Sequence, residues 1–352
     1  MARSWLLARI AGHLDVARNR VPALLELGDD DLIAELAGRD EAAVRAELDA
    51  FDADGYRTRC TEVGLELMCR CDPGYPASLW SLPAEPAVLH VAGGTGRLRD
   101  LVEGHVVAII GARRASPYAL ENARSLARGI ARANVTVVSG MAAGVDSAAH
   151  EGTLEASGRT IAVLPSAPQR AYPAAARSLY RRILTAGVAV SELGPDVPVR
   201  RWMFHARNRI VAALCAMTVV VAARQGSGAL TTAGLACTLK RELGAVPGQI
   251  TSPLAWGPHQ LIKTGARLVT ETSDILIPAF GMAPLRDFTP PPRLLVPSHL
   301  QPLFDALADG LDPPQAFDEA GLDAEEGLTQ LAVLELGGHI RRQPGGRFSI
   351  AG

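Results

Sequence analysis

Between residues 106 and 270 the chain alternates short, apolar, β-branched runs with helical patterns, and this alternation limits the folds open to it. The runs 106–111, 135–139, 160–164, 188–191, 218–223, 244–246 and 267–270 read as strands. The segments 118–131, 146–156, 174–185, 208–215 and 230–243 between them carry apolar residues at three-to-four spacing and read as helices. Strands that are apolar on both faces belong in parallel sheets covered on each side. The expected fold is therefore α/β: a doubly wound parallel sheet, whose ligands bind beyond the strand C-termini where the strand order reverses.

The 352-residue chain leaves room for modules on both sides of that sheet. Residues 1–65 show short helical patterns broken by Gly28 and Gly38 and read as a small helical domain, like a SAM or helix-hairpin-helix module. Residues 66–285 form the domain built on this sheet, opening with a proline- and turn-rich covering segment at 72–92. Residues 286–299 are a proline-rich linker. Residues 300–352 show helical patterns at 300–307, 314–320 and 324–334, then a hairpin turning at Pro344-Gly345-Gly346, the order of a winged helix.

Charge is segregated along these divisions. The net charge of −2 hides −5 over residues 1–65, +8 over 66–285 and −6 over 300–352. A basic middle between acidic ends is the pattern expected when only the middle meets a polyanion. No apolar run reaches the roughly 18–20 residues of a membrane span, and MARSWLLARIAGHLD breaks off before a signal peptide would, so the expectation is a cytoplasmic protein without a membrane partner. Five cysteines without a secretory signal favour reduced thiols, and Cys60, Cys69 and Cys71 lack the close pair that a zinc site needs.

Several strand ends run into turns suited to anions. Gly111-Ala112-Arg113-Arg114-Ala115-Ser116 follows the first strand and precedes a helix with Pro117 in its first turn; the glycine permits a tight turn and Arg113 can fork onto phosphate oxygens. Ser139-Gly140 ends the next strand. Arg207-Asn208-Arg209 stands at the head of an apolar helical pattern, after Phe204 and His205. Arg224 and the pair Ser227-Gly228 follow the run 218–223. Asp146 and His150 lie four apart, and helix capping by the one and packing of the other are favoured over a metal or acid–base pair. There is no phosphate-binding lysine loop and no G-x-S-x-G elbow. So many small polar turns with arginines suit a nucleic acid strand better than one mononucleotide. Phe204, His205 and Tyr118 are the candidate stacking groups.

IIGARRAS, VVSGMAAGVDSAAHEGTLEASGRTIAVL, YPAAARSLYRRI, SELGP, FHARNRIVAAL, SGALTTAGLA and AVPG, in this order, closely resemble the DNA-processing protein A family, DprA or Smf, over about residues 72–275. The resemblance implies an extended Rossmann-like domain over residues 66–285, in a non-enzymatic protein that needs no cofactor. Such a protein forms a homodimer, binds single-stranded DNA and loads the RecA recombinase during natural transformation. Carried over motif by motif, it implies that Arg113, Ser139, Gly140, Arg207, Asn208, Arg209, Ser227 and Gly228 face the DNA, and the reading of the residues themselves adds Gly111, Arg114, Ser116, His205 and Arg224. This chain departs from the family pattern at Ala143, His205, Ala222, Gly226 and Pro165; Arg224 or Arg114 is the candidate replacement for the missing charge. Two other readings stand beside it: a nucleotide phosphoribohydrolase of related fold, whose acidic residue is absent here, and a protein-interaction scaffold using the acidic C-terminal domain.

Overall fold

The computed structural model describes residues 1–17, 20–195, 197–282, 296–342 and 348–350. They fall into two compact units, Met1–Pro284 and Leu285–Gly352.

Six short helices open the first unit: α1 (Ala2–Arg9), α2 (Ala11–Val16), α3 (Val21–Glu26), α4 (Asp29–Leu36), α5 (Glu41–Asp49) and α6 (Ala53–Glu62). Strands β1 (Glu66–Cys69) and β2 (Val88–Ala92) and helix α7 (Thr95–Glu103) lead into the alternating region. There β3 (Val106–Gly111), α8 (Pro117–Arg132), β4 (Thr136–Ser139), α9 (Val145–Glu155), β5 (Thr160–Val163), α10 (Arg177–Ala186) and β6 (Val188–Ser191) make the first half. Helix α11 (Arg201–Leu214), β7 (Met217–Ala222), α12 (Gly228–Thr238), β8 (Glu242–Ala245), α13 (Trp256–Lys263), β9 (Arg267–Leu268) and α14 (Ser273–Phe280) make the second.

All nine strands form one sheet in the order β1-β2-β6-β5-β4-β3-β7-β8-β9. Strands β3 to β9 are mutually parallel, and in this sheet β2 runs the other way, antiparallel to both of its neighbours β1 and β6. Chain order reverses between β3 and β7, which places the switch-point crevice beyond their C-terminal ends. Alternation along β3 shows how the sheet is sandwiched. Val106, Ala108 and Ile110 join one core with α11 and α12, while Val107 and Ile109 join the other with α8 and α9.

Three differences from the sequence expectation have local causes. Helix α11 begins at Arg201, so Arg207-Asn208-Arg209 lie in its middle and not at its head: the extended backbone of Arg200 starts the helix, and Trp202-Met203 belong to its apolar side. Helix α12 stops at Thr238 and does not reach Leu243, because Lys240 takes a left-handed φ of 54° and Glu242–Ala245 pairs as a strand. Residues 1–65 are not a separate unit. Leu6, Leu14, Leu24, Leu32 and Ile33 share one buried cluster with Leu193, Trp202, Met203 and Ala206, and the Trp202 indole donates to the Ala11 carbonyl at 3.1 Å.

The second unit consists of α15 (Gln301–Ala308), α16 (Pro313–Glu319), α17 (Ala324–Leu336) and the antiparallel pair β10 (Ile340–Arg342) and β11 (Phe348–Ile350). This is the expected element order; the hairpin tip at Pro344–Gly346 and most of the linker 286–299 lie outside the described residues.

Two buried histidines make the first unit acid-sensitive. His90 Nε2 hydrogen-bonds with the Tyr56 hydroxyl at 2.8 Å, and His150 Nδ1 meets Thr160 Oγ1 at 2.7 Å. Burial pulls their pKa values from the usual 6.5 down to about 4 and about 3. The unfolded chain takes up these protons below the usual value while the folded chain does not, so stability is full above it and is lost as pH falls toward the folded values. The urea midpoint should drop between about pH 7 and pH 4.5, with a shallower drop in His150→Gln. A pH-independent wild-type midpoint would contradict this.

Candidate nucleic-acid interface

The crevice at the switch point has a volume of about 370 Å³. Five elements line it: the end of β3 and the turn after it (Ile110–Arg113), Gly140 and Ala142 after β4, Asp146 of α9, Gly226–Ala229 leading into α12, and one face of α11. That face presents Phe204, Arg207, Asn208 and Val211, a spacing of three, four and seven that puts them on one side of the helix. Trp202, Met203 and Ala206 look the other way, into the N-terminal helices.

Arg207 forms the floor, with its side chain 11% exposed. Its Nη1 donates to the carbonyls of Gly140 and Val163, each at 2.6 Å, tying the ends of β4 and β5 to α11. Its Nε donates to Asn208 Oδ1 at 3.1 Å, and Asn208 Nδ2 in turn donates to the Gly228 carbonyl at 3.3 Å. The first turn of α12 is thus hung from the same side chain. A Cβ on Gly140 would lie 1.9 Å from Arg207 Nη1, so only glycine leaves room for the guanidinium.

Asp146 is the carboxylate that faces Arg207, at 3.9 Å. Its Oδ2 accepts from the Ala142 N–H at 3.3 Å, so it holds the loop after β4 together; the N-cap of α9 is Gly144, not Asp146 as expected. Burial raises the Asp146 carboxyl, against the pull of Arg207 and the loop N–H groups, and lowers the Arg207 guanidinium. Gly144, at φ 87°, lets this loop slide under the one after β3: a Cβ there would sit 2.3 Å from the Ala112 carbonyl.

At the rim, exposed Arg113 lies over the Phe204 ring at 4.8 Å from its centroid, and Tyr172 meets the same ring with centroids 5.7 Å apart. Ser227 caps α12 by accepting from the Ala229 N–H, and Gly228 and Ala229, the first residues of that eleven-residue helix, line the crevice, so the helix begins there with its positive end. The lining is polar, basic and open.

Of the thirteen residues singled out from sequence, Gly111, Arg113, Gly140, His205, Arg207, Asn208, Ser227 and Gly228 come together in the crevice. The other five do not line it. Ser116 caps α8 and Ser139 donates to the Ile109 carbonyl at 2.6 Å, both serving the turns themselves. Arg114 and Arg224 are exposed outside the lining. Arg209 points to the opposite side of α11, where its Nη2 donates to both Glu192 oxygens at 2.7 Å in a nearly buried pair. Tyr172 and Glu192 escaped sequence reading, although YP and SELGP flag both. Tyr118, offered there for stacking, instead donates to the Pro247 carbonyl at 3.0 Å.

Residues 66–279 match DNA recombination-mediator protein A across the whole sheet and its crevice. The chain belongs to that family. Protein Smf of Escherichia coli (strain K12) is 36% identical over 280 residues, covering 77% of this chain and 74% of that protein. DNA processing protein A of Streptococcus pneumoniae superposes with a TM-score of 0.62 at 31% identity, over 71% of this chain and 86% of that one. The corresponding protein of Helicobacter pylori, whose structure is described for its single-stranded DNA binding mode, gives 0.53 at 28% identity over 60% and 94%.

Gly140→Ala should push Arg207 off its two carbonyls and lower the unfolding free energy by about 1–3 kcal/mol, the usual cost of overpacking. Urea denaturation checks this, and an unchanged midpoint would mean that Arg207 has another place to go.

Proposed function

We propose that this chain binds single-stranded DNA along the switch-point crevice and acts as a binding protein, not an enzyme. The observation that carries the reading is the convergence of Arg113, the α12 N-terminus and the Phe204 ring on one open groove in the +8 region of the chain. A helix start and a forked cation neutralise phosphates, and an aromatic face stacks a base at about 1–3 kcal/mol per base. Family membership supports the same ligand, as does the likeness to the Helicobacter pylori protein with its single-stranded DNA binding mode. Recognition by these means reads charge and backbone more than sequence.

Within this reading Arg113 is the phosphate-contacting arginine, and His205, Ser227 and Gly228 are its neighbours on the strand. Arg114 and Arg224 sit outside the crevice lining and would meet the DNA backbone on either side of it. Arg207 and Asn208 hold the groove's shape, and Arg209 has a structural role through Glu192.

The protein is further read as a cytoplasmic homodimer that hands its DNA to the RecA recombinase during natural transformation, with the second unit a winged helix. Support for the dimer comes from the short edge strand β9, where Leu268 is 51% exposed, and from Trp256 and Ile277, exposed on the flanking helices. Among the described residues no helix is long and apolar enough to cross a membrane. A phosphoribohydrolase would need a carboxylate free to act on substrate. Asp146, the carboxylate of this crevice, is buried and engaged with the loop after β4.

Affinity for a fluorescent oligo-dT, measured across a salt series, tests the proposal. Wild-type binding should weaken steeply with salt, and Arg113→Ala should weaken it several-fold and flatten the log–log slope by about 0.7, one phosphate contact. Affinity and slope both unchanged in Arg113→Ala would remove the crevice from the reading.

A further inference from the structure

Helix α17 of the second unit is apolar on both sides. Gly327, Leu331 and Leu334 are buried against α15 and α16, as the third helix of a small bundle should be. The opposite side carries Leu328, Ala332, Val333 and Leu336, all exposed, with Leu328 at 59% and Leu336 at 89%. Leu328, Ala332 and Leu336 recur every four residues and form one stripe, with Val333 beside it. A surface helix normally turns charged residues outward, and an exposed apolar stripe on a unit this small marks an interaction face.

We propose that this face docks a basic amphipathic helix of another protein. The charge around the stripe selects that occupant. Glu325 and Glu326 stand at its N-terminal end, where Asp323 caps the helix by accepting from both their N–H groups. Asp318 and Glu319 end α16, shortly before α17 begins. None of these four outward carboxylates has a cationic partner among the described residues; Glu335, farther along, reaches Arg342 only at 3.8 Å. Residues 300–352 carry −6 in all. A nucleic acid or an anionic lipid surface would be repelled. A second copy of the unit would bring −6 against −6. A helix with leucines on one side and lysines or arginines on its flanks satisfies both the stripe and its acidic end, in the helix-against-apolar-face mode of peptide recognition. This face is independent of the DNA crevice, so either assignment can fail without the other.

The test uses the full chain and a synthetic Leu/Lys peptide of about 18 residues with leucines at helical spacing, beside a scrambled peptide of the same composition. The helical peptide should bind at least about tenfold more tightly than the scrambled one. The double variant Leu328→Glu/Leu336→Glu, whose two side chains are exposed, should lose that preference while keeping its circular dichroism spectrum and its affinity for oligo-dT. Glu325→Gln/Glu326→Gln should lose part of the affinity and most of its salt dependence. Equal binding of both peptides, no binding, or leucine variants that bind like wild type would overturn the proposal. A self-association in sedimentation that the leucine variant abolishes would assign the face to a second copy instead. A loss of duplex DNA affinity in that variant would assign it to nucleic acid.

Discussion

The guanidinium of Arg207 sits where two strand ends, the middle of α11 and, through Asn208, the start of α12 all meet. A cation so nearly buried is tolerated only because its donors are used: Nη1 on two carbonyls, Nε on Asn208, and Asp146 close by to balance the charge. The loops after β4 and β5 and the helix start after β7 are therefore fixed relative to one another by a single side chain. Gly140 is the space that side chain occupies, and Gly144 is the space that lets the neighbouring loops interlock. The floor of the groove is held by contacts within the protein, and at the rim only the exposed Arg113 side chain, which lies over Phe204, has to shift for a base to reach that ring.

Helix α11 connects this site to the rest of the unit because its two faces do different work. One face lines the crevice with Phe204, Arg207, Asn208 and Val211. The other buries Trp202, Met203 and Ala206 under the N-terminal helices, and its start is held by the Arg201 N–H donating to Asp15. Arg209 and Glu192 pair on that side, and Ser4 donates to the Glu192 carbonyl at 2.9 Å. Residues 1–65 thus form the back of the helix that builds the site. Their acidic balance suits that structural place, away from the basic groove.

The parallel sheet was legible from residues because buried parallel strands carry an apolar, β-branched signature that nothing else in this chain imitates. The turns that line the crevice were legible for a related reason, since glycine and other small residues at a strand end before a helix mark a close approach of backbone segments. Two things were not. A run such as Arg207-Asn208-Arg209 looks like one surface feature, yet successive helix positions point about 100° apart, so one arginine became the floor and another an internal ion pair. Nor could periodicity show that the N-terminal helices share a core with α11, because that contact joins residues nearly two hundred positions apart. The spacing of Phe204, Arg207, Asn208 and Val211 was the available signal for the correct face.

A structure of the chain with a short single-stranded oligonucleotide tests the central claim most directly. The account predicts a phosphate between Arg113 and the N-terminus of α12, a base against Phe204, and Arg207 still bonded to the carbonyls of Gly140 and Val163. DNA bound elsewhere on the unit, or an Arg207 released from those carbonyls to reach a phosphate, would contradict it.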